Sequence, residues 1–160
     1  VGLTRSDVRI VTPVLETNAY GAGDRLGAIT EITSCTRGDE QSNSIIQSIA
    51  ALTKNKKASA IDLMFFSDLP TVASADNAAI DISAAEMAAK HLGTIVLAAA
   101  DWLAIANVSA QTVEPKRIML KNTSTTASRS KTSIWMVLVD RTGGTYVADE
   151  FVFKFGLLQE

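Results

Sequence analysis

The chain has 160 residues and a mass of 17.0 kDa, enough for a single domain that buries about 69% of its unfolded surface without disulfides or metals. Fifteen basic against seventeen acidic side chains leave a net charge of −2, which excludes a global attraction for nucleic acid or for an acidic membrane. One cysteine, Cys35, and one histidine, His91, exclude a disulfide framework and a thiolate metal cage within the chain, and the longest apolar run, Ile95 to Ala100, is far below the ~20 residues that span a bilayer.

Val1 to Asp7 has no apolar signal-like segment and reads as a start left by methionine removal, the expectation for a protein made and used without secretion. Val8 to Leu15 alternates briefly and then meets Pro13, which cannot donate to a central ladder, so the reading is an extended arm or an edge strand. Asn18 to Asp24 is a loop of residues that tolerate positive φ, and a strand follows from Leu26 to Thr33. Arg37 to Asn43 is polar and reads as an exposed connection.

Ser44 to Thr53 places Ile45, Ile46, Ile49 and Leu52 on both faces of a strand covered on both sides, and Ala60 to Phe66 is a second such strand. The basic turn Lys54 to Lys57 between them suggests a hairpin. After Pro70 the chain is small and polar to Asp81, and Ser83 with Glu86 then forms a capping box opening a short helix, with Gly93 as its expected stop. Thr94 to Ala99 and Arg117 to Lys121 read as strands, Asp101-Trp102 as a corner, and Asn122 to Lys131 as a mobile loop. Thr132 to Asp140 is apolar on both faces, Thr142-Gly143-Gly144 is a turn, and Tyr146 to Phe155 returns with Phe151, Phe153 and Phe155 on one face. Roughly eight strands predict a mainly β chain: an antiparallel β-sandwich or jelly-roll-like domain over residues 18–160, one short α-helix, and an extended N-terminal arm over residues 1–17.

Chemistry is sparse. Gly21-Ala22-Gly23 with Gly27 approximates a dinucleotide fingerprint, but β-branched residues follow where a helix N-terminus is required, so a turn is expected. A nucleophilic triad would need His91 as its base; next to Lys90 in the last turn of the helix, His91 is accounted for by the helix dipole. Cys35 would need His91 within reach to act as a thiolate.

Asp62, Asp68, Asp76, Asp81, Glu86 and Asp101 concentrate acid in one stretch, where a carboxylate pair for glycoside chemistry would leave no spacing signature, and Asp76 with Asn77 could meet a calcium ion or simply cap a turn. Lys116, Arg117, Lys121, Arg129 and Lys131 form an opposing basic stretch, suited to orienting subunits against each other. No catalytic, cofactor or metal residues are assigned. Val8, Ile10, Pro13, Met64, Phe66 and Trp135 are the expected interface residues, the last three with the alternative of facing a second sheet.

Thr12 to Asp24, then Ile61 to Phe66 with Pro70-Thr71 and Asp76-Asn77-Ala78, then Phe151 to Glu160 resemble blocks of a small virion-protein family of tailed bacteriophages. That resemblance implies a non-enzymatic capsid decoration or cement protein on the outer surface of the virion head, synthesised in the bacterial host cytoplasm. It implies the major capsid protein as partner, self-assembly into a homo-oligomer with a trimer favoured over a dimer, and neither nucleic acid, membrane nor cofactor. A tail or baseplate subunit and a carbohydrate-binding module are the alternatives.

Overall fold

The computed structural model describes residues 5–36, 43–113, 118–121 and 133–159. The expected loop at 122–131 lies outside them, as do Lys116, Arg117, Arg129 and Lys131 of the basic stretch and the polar connection at 37–43 except for Asn43, which begins a strand. The elements are β1 Arg5–Val11, β2 Ala19–Tyr20, β3 Arg25–Ile32, β4 Asn43–Thr53, β5 Ile61–Phe66, α1 Ala84–Lys90, β6 His91–Leu97, β7 Leu103–Ile105, β8 Val108–Val113, β9 Ile118–Lys121, β10 Ile134–Asp140, β11 Gly144–Thr145 and β12 Phe151–Gln159.

Two antiparallel sheets face each other. The larger runs β1-β12-β4-β8-β7, with β9 and β8 placed end to end along one edge of β4; the smaller runs β3-β10-β5-β6. This is the expected antiparallel β-sandwich with one short helix. Phe151, Phe153 and Phe155 alternate inward from β12 to meet Leu63, Phe65 and Met136 from the smaller sheet, all of them fully buried. Phe65 and Phe155 cross between the sheets edge to face at 5.8 Å.

Two sequence expectations are corrected by this topology. β4 and β5 do not form a hairpin, and β12 does not return beside β10, because the members of each pair lie in opposite sheets. Residues 54–60 and 141–150 are instead crossings from one sheet to the other. They run side by side, since Thr53 pairs with Phe151 in the larger sheet and Ile61 with Asp140 in the smaller. Buried Glu150 locks them together: its carboxylate accepts from the Asn55 backbone N–H at 3.1 Å and from the Asn55 side chain at 3.0 Å. A local turn signal identifies where a chain bends; it does not say whether the next strand stays in the sheet.

Residues 5–11, read as part of the arm, are β1, the edge strand of the larger sheet. They pair with β12 from Arg5 opposite Gln159 to Val11 opposite Phe153. The capping box is half made: the Ser83 hydroxyl accepts from the Glu86 N–H at 3.2 Å, while the Glu86 carboxylate turns to the Lys90 ammonium at 2.8 Å and the Thr71 N–H at 3.0 Å. The helix stops at Lys90 rather than at Gly93. His91 adopts an extended conformation and begins β6 at once, and Gly93 pairs with Phe65 inside the strand, where an added Cβ would lie 3.2 Å from Ile118. The β7–β8 hairpin is an element the sequence reading lacks.

Candidate functional site

The carboxylates are the first chemistry to place. Asp76 is fully engaged: Oδ1 accepts from the Gly27 N–H at 2.6 Å and the Asn77 N–H at 2.9 Å, and Oδ2 accepts from the Tyr20 hydroxyl at 3.0 Å. Asp140, fully buried, accepts from the N–H groups of Thr142 and Gly143 at 2.9 and 3.1 Å and from the Tyr146 hydroxyl at 2.9 Å. Asp62 is paired with Arg141, whose Nε donates at 2.7 Å. Glu86 is held below the ordinary carboxylate range by the hydrogen bond from Lys90 and by the Thr71 N–H. These acids hold turns and crossings in place, which accounts for Asp76 and Asn77 as a turn rather than as ligands. Among the described residues no three His, Cys, Asp or Glu side chains gather as a metal site.

The thiol and the imidazole do not meet in a hydrogen bond. Cys35 is buried, donates to the Ile32 carbonyl at 3.2 Å, and is pushed up to about 12 by burial, the opposite of an activated thiolate. The His91 ring lies 2.9 Å from the Thr94 hydroxyl and edge-on to Phe66. Gly21 to Asp24 is the expected turn, closed by the Asp24 carboxylate accepting from the Gly21 N–H at 2.6 Å.

The contrast between the outer faces of the two sheets is sharper. The smaller sheet turns Phe66, Val137 and Val139 outward, all fully buried, because residues 68–90 fold back over them. Val72, Ile80, Ile82 and Met87 from that layer, with Met64, Trp135 and Ile29, complete a second apolar cluster. The cover is fastened by Asp76 and by the Arg25 N–H donating to the Ala78 carbonyl at 2.9 Å.

The larger sheet has no such layer among the described residues. Cross-strand partners share a face, so the pairing of Ile10 with Lys154, Lys154 with Ala50, and Ala50 with Thr112 traces one row across four strands. The row beside it joins Val152, Leu52, Ala110 and Leu103. On this face Val8 is 59% exposed, Ile10 65%, Leu103 66% and Met119 66%. A depression of about 50 Å³ opens between Ile45, Met119 and Leu158 at one end. Lys154 and Thr112 interrupt this face, yet Val8, Ile10, Leu103, Ile105 and Met119 all stand exposed on it, a gathering of large apolar side chains that marks a contact surface.

Of the expected interface residues, Val8 and Ile10 stand on this open face. Pro13 and Phe66 are buried inside the subunit, and Met64 and Trp135 lie half-buried under residues 68–90, so these four are withdrawn from the surface expected of them. Leu103, Ile105, Met119, Leu52 and Leu158 are the surface residues sequence reasoning missed. The signal for part of them was present: β4 is apolar on both faces, and only one of its faces has a cover among the described residues.

Comparison with protein-family models returns no match, and comparison with curated proteins returns none. Among solved structures, the chain is similar to the infectious bursal disease virus VP2 subviral particle, at a TM-score of 0.35 and 14% identity. The alignment covers 98% of this chain and 32% of that one, so this chain spans about a third of its length. A likeness at that score carries no argument; the weight falls on the two sheet faces and the residues that cover one of them.

Proposed function

We propose that this protein is a non-enzymatic structural subunit of a virus particle, and that it works by burying the open face of its larger sheet against a neighbour. One observation carries the reading: the smaller sheet's outer face is covered by the chain itself, and the larger sheet's outer face, with Val8, Ile10, Leu103, Ile105 and Met119 exposed, has no cover among the described residues. The buried carboxylates support the same reading, since each already has its hydrogen-bond donors and has the role of a fastener.

The finer form of the proposal is a capsid decoration protein of a tailed bacteriophage, seated on the outer head surface against the major capsid protein. The sequence blocks Thr12 to Asp24, Ile61 to Phe66 with Pro70-Thr71 and Asp76-Asn77-Ala78, and Phe151 to Glu160 are its support. A subunit that binds the expanded lattice more tightly than the compact one stabilises it by mass action. The test is to mix the purified protein with expanded phage heads lacking it and to count copies that co-sediment. Saturable binding at a fixed number per capsomer, with heads that resist heating longer, is the expected result; failure to bind while hydrolysing or retaining a polysaccharide would overturn the proposal.

A further inference from the structure

We infer that the open face of the larger sheet docks onto the same face of a second copy of this chain, sheet on sheet, about a two-fold axis running along β4. This rests on the proposed role of the open face as a contact surface and adds its occupant.

Area limits the number of partners. Five strands ~4.8 Å apart, about seven residues long at ~3.3 Å per residue, present roughly 550 Å² in projection, and more in accessible surface because side chains stand out from the plane. A stable pairwise interface needs about 800 Å² from each partner, so one partner of equal size consumes the whole face. A third copy would find no face left, which favours a pair over the trimer the resemblance implies, and a pair so formed would meet a capsid through a surface other than this face.

Charge allows a like partner. Among the described side chains of this face Lys154 is the one that bears charge, so the described part of the face offers no charge pattern that would bar a like partner.

Register permits the pairing. A two-fold rotation about an axis parallel to β4 keeps each residue at its own level along the strand and exchanges β12 with β8 and β1 with β7. Lys154 and Thr112 both pair with Ala50, on opposite sides of it. In the pair, the Lys154 ammonium therefore lies over Thr112 of the partner subunit, a hydroxyl acceptor, and away from its own copy. Ile10 stands in the Ala50 row and Leu103 in the row beside it, so in the pair Leu103 falls diagonal to Ile10 of the partner subunit, while Val8 and Ile105 lie one row further out in opposite directions. Ala50, small and facing an axis that runs parallel to β4 midway between the sheets, meets its own copy at the ~10 Å spacing of stacked sheets.

The experiment uses the full chain with Ala50→Cys, treated with a short bifunctional maleimide, beside sedimentation velocity of the native protein and of Leu103→Asp. Native Cys35 is buried and serves as the unreactive background. A covalent dimer from Ala50→Cys, none from Val96→Cys on the other sheet, and about tenfold weaker association of Leu103→Asp, which sets a charge into an apolar edge of the contact, are expected. Should Ala50→Cys fail to fold, Leu103→Asp decides alone, because its side chain already faces water. A native chain that stays monomeric at all concentrations, or a dimer indifferent to Leu103→Asp, overturns the inference. A monomer that still binds phage heads overturns self-docking and leaves the structural-subunit reading standing. A cross-linked dimer that binds no heads does the reverse.

Discussion

The Tyr20 hydroxyl donates to Asp76 at 3.0 Å across 56 positions of sequence, and the same carboxylate takes the Gly27 N–H at 2.6 Å. Asp76 belongs to the layer that covers the smaller sheet, whereas Tyr20 and Gly27 belong to the sandwich, so this one side chain fastens cover to core. Tyr20→Phe removes one of three donors from a carboxylate and is expected to cost about 1–2 kcal/mol; Asp76→Ala strands a buried hydroxyl and a backbone N–H and is expected to cost about 2–4 kcal/mol. Urea unfolding measures both. Hydrogen exchange should quicken in residues 71–82 before it does in β10, and equal loss of protection in both would count against a local fastener.

Alkaline pH tests the same contact through its proton. Tyr20 is pushed from 10.0 up to about 12, first by burial and then by its hydrogen bond to Asp76; Tyr146 is raised by burial, with its bond to Asp140 adding to the shift; and burial raises Cys35 from 9.0 to about 12. In each case the folded state holds the proton more tightly than the unfolded chain. The stabilisation is therefore complete below the unfolded value and is lost as pH climbs through the folded one. The urea midpoint should be level through neutral pH and fall from about pH 9 towards pH 12, with tyrosinate absorbance appearing only as the protein unfolds. Tyr20→Phe should flatten part of that fall. A midpoint that rises over the same interval would refute the assignment.

Strand positions were legible wherever alternation is strict. Phe151, Phe153 and Phe155 announce the inner face of β12, because a two-residue period survives any choice of partner, whereas β10, apolar on both faces, shows its strand but not which face turns inward. Sheet membership was not legible: the crossing after Thr53 is held by Glu150, 95 positions away from Asn55, and no local pattern reports such a contact. The β7–β8 hairpin escaped notice because its strands are short and its turn sets Ala106, rather than a glycine, at a φ of 48°. For the interface, alternation correctly grouped Met64 with Phe66 on one face. It could not say that Val72, Ile80 and Ile82, scattered through a small polar segment, would close over them.

Gly27 carries a backbone demand that the sequence shows only as one glycine among nine. It sits at φ 68° beside the irregularity between β3 and β10, and an added Cβ would overlap the Val14 carbonyl oxygen and crowd Leu15. Gly27→Ala is expected to cost at least ~3 kcal/mol, since strain and overlap add. Gly23 gives the comparison: its φ is 96° with nothing within 4 Å of a built Cβ, so Gly23→Ala should cost only about 1 kcal/mol. Thermal unfolding of the pair separates the two contributions, and equal losses would show that the Val14 contact is easily relieved.

Leu103 and Phe66 state the difference between the sheets in two side chains. Both point away from the central core on apolar strands, yet Leu103 is 66% exposed and Phe66 is fully buried under residues 68–90. Phe66→Ala opens a cavity inside one subunit and is expected to cost about 3–5 kcal/mol whatever the protein concentration. Leu103→Asp replaces a side chain already in water, so it should change the stability of a single subunit by no more than about 0.5 kcal/mol. Where copies associate, Leu103→Asp should instead lower the melting temperature in proportion to the association it removes, and its effect should vanish on dilution. Melting curves at several concentrations make the distinction. A Leu103→Asp penalty as large in dilute solution as in concentrated solution would mean that the open face is closed by the subunit itself, and that the surface assigned to a neighbour is core.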